Sequence, residues 1–144
     1  MTKASRVSIL WVLLLAALAV IALYPWETTV APEWRVRIVD QSGIPLRTTG
    51  VREVWRHYSV ESRGHEEDSM TDQEGYVTFP KRTIRTVLVA RLIKPMINAL
   101  SPHHSSGPGA SVIVLAPEYI TWSNNDYTPG QPLPSEVVVR KNSP

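Results

Sequence analysis

The chain contains no cysteine, which excludes disulfides, thiolate nucleophiles, thiolate metal sites and a lipid anchor carried on an N-terminal cysteine. It also has little net charge. Of its 15 Lys+Arg and 13 Asp+Glu, Lys3 and Arg6 precede an apolar run, so residues 25–144 hold equal numbers of each sign. A nucleic-acid module needs a net basic face, and a neutral body argues against that class. No His-Glu-x-x-His pair, no Gly-x-Ser-x-Gly elbow and no internal repeat of useful length occurs. The first two absences remove the commonest zinc and serine-hydrolase signatures. With 144 residues in all, the stretch beyond the apolar run suits one domain and not two. The 43% apolar content is enough for that domain to bury roughly two-thirds of the surface of its unfolded chain.

What the chain does have is a long hydrophobic run near its start. Residues Val7 to Tyr24 read VSILWVLLLAALAVIALY, with Ser8 as the clearly polar side chain. As a helix they would extend about 27 Å, close to the thickness of a bilayer core. Lys3 and Arg6 lie before the run and the next basic residue is Arg35, so the amino end is expected in the cytoplasm and the body outside. Trp11 at one end, and Tyr24 with Trp26 at the other, suit the two membrane interfaces. Pro25 stops the helix. A cleaved signal peptide is the competing expectation, because Ala17-Leu18-Ala19 and Val20-Ile21-Ala22 offer small residues to a signal peptidase. Either way the body is exported.

Past the run the organisation reads as residues 1–6 cytoplasmic, 7–24 transmembrane, 25–32 connector, 33–140 domain and 141–144 tail. Trp34, Val36 and Ile38 alternate with Arg35 and Arg37, the period of a strand with one buried face. Asp40 to Gly43 then turns the chain, and Pro45 assigns Ile44 to Leu46 to an edge. A second strand spans roughly Val51 to Val60, with Val54, Tyr58 and Val60 on one side and Trp55 on the other. Residues 61–74 carry six acids against Arg63 and read as a charged hairpin tip with a short strand near Ser69 to Thr71. After an Asp72 to Gly75 turn, Val77 and Phe79 mark a third strand. Ile84, Leu88, Leu92, Met96 and Leu100 recur every four positions, which predicts a helix at about 86–100, with a strand at 83–90 as the fallback. The continuous apolar stretch Ala110 to Ala116 predicts a strand covered on both faces, the helix supplying one cover. Short strands are expected at Tyr119 to Trp122 and around Val137 to Val139. The fold class is therefore mainly β, an antiparallel β-sandwich with one helical insertion behind a single transmembrane helix.

Asp40-Gln-Ser-Gly-Ile-Pro-Leu46, followed by Thr71-Asp-Gln-Glu-Gly-Tyr-Val-Thr-Phe79, resembles the paired signature of carboxypeptidase regulatory-like domains, which are transthyretin-like sandwiches. The resemblance covers roughly residues 33–80. It implies a non-catalytic binding module in an exported protein, similar to domains grouped with carbohydrate-binding-like folds. The related hydroxyisourate hydrolases end in Tyr-Arg-Gly-Ser, whereas this chain ends Val139-Arg-Lys-Asn-Ser-Pro144, so that activity is not implied.

Two groups of side chains are candidates for binding. Residues 81–94 hold Lys81, Arg82, Arg85, Arg91 and Lys94 with no acid. Arg85, Arg91 and Lys94 form a candidate basic face for anionic headgroups or an acidic partner, unless this segment and the acidic stretch neutralise one another. Tyr119, Trp122 and Tyr127 lie beside Asn124, Asn125 and Asp126, the mixture of flat rings and short polar groups that sugar sites use, unless Trp122 packs into the sandwich. No catalytic residue, cofactor or metal is assigned. The alternative is a small exported hydrolase or metal-binding protein using the loop from His103 to Ser111. The expected partners are the membrane and an envelope protein or glycan.

Overall fold

In a computed structural model the chain is described at residues 3–90, 93, 96, 107–123 and 125–142, with side chains for all of these except 3–8 and 122–123. Helix α1 (Lys3–Leu23) ends just before Pro25, whose ring cannot continue it. From Ile9 on, its large apolar side chains stand free of the body, Leu10 and Val20 at 65% and 66% exposure. Among the described residues no helix is long and apolar enough to cross a membrane.

Residues expected as a connector form a strand instead. β1 (Pro25–Ala31) follows α1 after Tyr24 alone and pairs antiparallel with a later strand, Arg82–Val87, in the register Pro25↔Val87 to Thr29↔Thr83. Trp26, Thr28 and Val30 alternate with Glu27, Thr29 and Ala31, a pattern with β-branched content that was too polar at its start to announce a buried face. Both Val30 and Ala31 are fully buried.

Two four-stranded sheets face each other across the core. The first has the order β5, β2, β10, β8, from β2 (Trp34–Asp40), β5 (Tyr76–Phe79), β8 (Tyr119–Ser123) and β10 (Glu136–Lys141). The second has the order β4, β3, β7, β9, from β3 (Gly50–His57), β4 (His65–Met70), β7 (Pro108–Val114) and β9 (Asp126–Tyr127). The strand opposite β1 is β6 (Arg82–Val87). Trp34, Val36 and Ile38 are fully buried, as the alternation of β2 requires, and meet Val51, Val112, Val114, Phe79, Val137 and Val139 in one cluster. The Trp34 indole N–H, removed from water, donates to the Pro134 carbonyl at 2.7 Å.

Four expectations need correction, and the buried side of β3, which the sequence left open, is fixed. The sheets are not wholly antiparallel, because β10 runs parallel to β2. A parallel pair needs a long crossover, and here most of the domain lies between the two strands. The acidic segment is a hairpin tip only as far as Gly64: β4 is a six-residue edge strand, longer than the one expected near Ser69 to Thr71, in register with β3, Asp68 opposite Arg52 and Glu66 opposite Val54. Its acids are tolerated in a strand because arginines meet them. The inward face of β3 is Val51, Glu53 and Trp55, while Tyr58 lies beyond the strand and is exposed. Apolar counting misses this because Glu53 is a fully buried acid. Finally, β7 is covered on one face only, since Ile113 is 40% exposed. The expected helix at 86–100 begins later: Thr86 and Val87 belong to β6, and Leu88, Val89, Ala90, Ile93 and Met96 are helical. The fallback strand therefore holds for the first part of the segment.

The two aspartate turns are near copies. Asp40 accepts from the amides of Ser42 and Ile44, and Asp72 from those of Glu74 and Tyr76, at 2.8 to 3.0 Å. Gly43 and Gly75 take left-handed φ values of 78° and 81°. The turns also touch, because the Gly75 carbonyl accepts from Ile38, whose own carbonyl accepts from Leu46.

Candidate functional site

The outer face of the second sheet carries a groove of about 620 Å3. Its floor comes from alternate residues of neighbouring strands, which period two turns to one side. Arg56 of β3 lies in register with Gly109 of β7, and Ser111 of β7 with Asp126 of β9. Tyr58 follows β3 and crosses this floor. Its amide donates to the Gly107 carbonyl at 2.8 Å, and its ring lies so close to Gly109 that a Cβ there would meet the Tyr58 Cε2 at 3.0 Å. The glycine therefore makes room for the ring. The Arg56 guanidinium sits 5.4 Å from the Tyr58 centroid, and two of its nitrogens donate to the Glu61 carbonyl. Tyr127 completes the wall and packs inward on the core. The groove thus combines a 42% exposed tyrosine with a cation, a carboxylate and a hydroxyl. Such a surface can stack on a flat or ring-shaped ligand and hydrogen-bond its periphery.

A second polar cluster lies on the inward side of the same sheet. Arg82 donates from Nε to Glu53 Oε2 at 2.8 Å and reaches Glu67 Oε2 at 2.9 Å. Its guanidinium lies 4.0 Å from the Trp55 ring centroid, and Trp55 stacks on His65. Glu61 in turn holds His65 Nε2 at 2.7 Å and the His57 amide at 2.7 Å. Burial pushes the Glu53 carboxyl above its ordinary value, Arg82 opposes that, and Glu67 adds to it. Burial alone would lower Arg82, but its bonds to Glu67 and Glu53 outweigh it and raise the guanidinium. The cluster ties β6 to β3 and β4. Its arginine is only 13% exposed.

Outside these, Arg52 bridges Asp68 at 2.6 Å and Glu66 at 3.0 Å on the outer face. Its hydrogen bond holds Asp68 below the usual carboxylate range. Within the acidic stretch Glu66 and Asp68 are thus met by Arg52, which lies in neither charged segment, and Glu67 by Arg82 of the basic segment.

The residues singled out in the sequence are scattered. Arg85 is exposed on β6, opposite Glu27 of β1, and not on a helix. Arg91 and Lys94 lie outside the described residues, as do His103, His104, Ser105 and Ser106. Ser111 is on β7 and lines the groove. Tyr119 and Tyr127 belong to different sheets and both pack against the core, so they do not form one platform. The side chain of Trp122 lies outside the described residues. Among the described residues no group of three or more His, Asp or Glu side chains could hold a metal. Arg56, Tyr58 and Asp126 were not assigned together. The register of β3, β7 and β9 unites them, and nothing local in the sequence encodes that register. Comparison with known families, with curated proteins and with solved structures finds no match.

Proposed function

We propose that the chain is a single-pass membrane protein in which α1 anchors an extracytoplasmic, transthyretin-like β-sandwich that binds a ligand without transforming it. This keeps the resemblance to carboxypeptidase regulatory-like domains drawn from the two aspartate motifs. The anchor is supported by the unbroken apolar run of residues 7–24 and by apolar side chains on α1 that pack on nothing in the body. Lys3 and Arg6 before the run favour a cytoplasmic amino end.

The observation that carries the binding role is the outer groove, where Tyr58 seated on Gly109 stands beside Arg56, Ser111 and Asp126. A saccharide fits this chemistry. Sugar rings offer C–H faces for an aromatic ring and hydroxyls for short polar groups. Arg56, Ser111 and Asp126 stand on paired strands, and the Tyr58 amide is held by the Gly107 carbonyl, which lowers the ordering cost of binding.

The test uses the full chain in detergent micelles, screened against immobilised envelope polysaccharides and their oligosaccharide fragments. Retention should fall at least tenfold in Tyr58→Ala and Asp126→Ala while thermal melting stays nearly constant, because both side chains are exposed. Absence of retention on any saccharide, or retention that both variants leave intact, overturns the reading.

A further inference from the structure

We infer that Val89, Ile93 and Met96 form a second membrane contact, lying in the interface of the same bilayer that holds α1. This rests on the reading of α1 as an anchor.

The first observation is positional. Only Tyr24 separates α1 from β1, and Pro25 is the register partner of Val87, the last residue of β6. Paired strands lie about 5 Å apart, so the chain leaving β6 starts beside the point where α1 ends. At that point Tyr24 and Trp26 meet edge to face with centroids 5.2 Å apart, and the Trp26 indole donates back to the Ile21 carbonyl at 3.3 Å. The exit is stapled to the helix and leaves no flexible spacer. A helix beginning at Leu88 therefore starts near headgroup level.

The second observation is the exposed face. Val89, Ile93 and Met96 are helical and exposed to 37%, 50% and 72%. Their spacing of four and three is that of residues sharing one side of a helix. These apolar side chains therefore stand open in the stretch that follows β6, whose end lies beside the end of α1. An interfacial helix buries such a stripe about 5–10 Å into the headgroup boundary.

Charge agrees with that occupant. Between Glu74 and Glu118 the sequence has no acid, while Arg91 and Lys94 fall among the stripe residues. Basic residues flanking an apolar stripe are drawn to anionic headgroups. A protein partner would need a complementary apolar face, whereas the bilayer is already present at this position.

The absence of cysteine allows a direct test. Single variants Leu15→Cys, Val89→Cys, Ala90→Cys, Ile93→Cys and Met96→Cys of the full chain are labelled with an environment-sensitive nitrobenzoxadiazole dye. Each is reconstituted into vesicles of phosphatidylcholine and phosphatidylglycerol carrying nitroxide lipids at shallow or deep positions. Support requires deep quenching at Leu15, together with blue-shifted emission and shallow quenching at Val89, Ile93 and Met96 that exceed those at Ala90. Deep quenching at Leu15 with water-like, unquenched emission at the stripe overturns the second contact and leaves the anchor standing. A blue shift at the stripe that lipid nitroxides do not quench means that protein covers it, which also overturns the contact. Unquenched Leu15 overturns the anchor and, with it, this inference.

Discussion

Two glycines with nearly the same backbone conformation should respond very differently to one added methyl group. Gly43 and Gly75 close the two aspartate turns at φ of 78° and 81°, and alanine in that region costs about 1–2 kcal/mol. Restriction of the unfolded chain returns about 0.4–1 kcal/mol. At Gly43 nothing lies within 4 Å of the added Cβ, so Gly43→Ala should destabilise by about 1 kcal/mol or less. At Gly75 the Cβ would meet Pro45 Cβ at 2.8 Å, the Ile38 carbonyl oxygen at 3.0 Å and Pro45 Cα at 3.3 Å. None of these is the end of a flexible side chain. The Ile38 carbonyl also accepts from Leu46, so a shift there disturbs β2 itself.

Overpacking of this kind adds about 1–3 kcal/mol, bringing Gly75→Ala to roughly 1–4 kcal/mol in total. The assay is urea unfolding of the full chain in micelles, followed by tryptophan fluorescence. The midpoint should fall clearly more for Gly75→Ala than for Gly43→Ala. In a Pro45→Gly background, where the nearest contact atom is gone, the cost of Gly75→Ala should shrink. Equal losses at the two glycines would refute the argument that the turns are packed against each other through Pro45, as would a Gly75→Ala cost that Pro45→Gly leaves unchanged.

Removing the guanidinium in Arg82→Ala leaves Glu53 buried without its cation and should cost about 3–5 kcal/mol, measured by urea unfolding; a loss under about 1 kcal/mol contradicts a buried pair. Because burial raises Glu53 above its ordinary 4.5, the folded chain holds that proton longer than the unfolded one. Its contribution is therefore full below pH 4.5 and declines as pH rises through the folded value. Glu53→Gln should abolish that decline in a pH series of melting curves, and an unchanged series would contradict it. Thr71 is 5% exposed, donates to the Leu46 carbonyl at 2.7 Å and accepts from the Thr49 amide at 2.9 Å. Thr71→Val should therefore cost about 1–3 kcal/mol and Thr71→Ser clearly less, both read from unfolding midpoints.

Much of the body was legible where one face of a strand is apolar and the other is not. Trp34, Val36 and Ile38 declared β2, and Val77 with Phe79 declared β5, because period two has no other common source. The aspartate turns were legible for a different reason: an Asp with Gly three residues later satisfies its own amides locally, whatever lies around it. Glu53 and β4 failed the same test. Their polarity is cancelled by Arg82 and Arg52, which stand 29 and 16 or fewer positions away, beyond any local window. The groove was illegible for a related cause. Arg56, Ser111 and Asp126 come together only through the pairings of β3 with β7 and β7 with β9, so spacing along the chain carries no trace of them.

The most consequential misreading concerns residues 25–32. Read as a connector, they would let the body swing on a tether, and its orientation relative to α1 would be undetermined. As β1 they are paired along their length with β6, and Val30 and Ala31 are sealed into the body. Two restraints then act in series. The helix is stapled to the strand through Tyr24 and Trp26, and β6 is clipped to the second sheet by Arg82 on Glu53 and Glu67. A swing of the body would have to break one of them. The buried pair is a poor source of net stability, since desolvation of both ions offsets much of their attraction. Its value lies in direction: a guanidinium between two carboxylates and over the Trp55 ring restricts how the β1–β6 pair leading from α1 meets the second sheet that carries the groove.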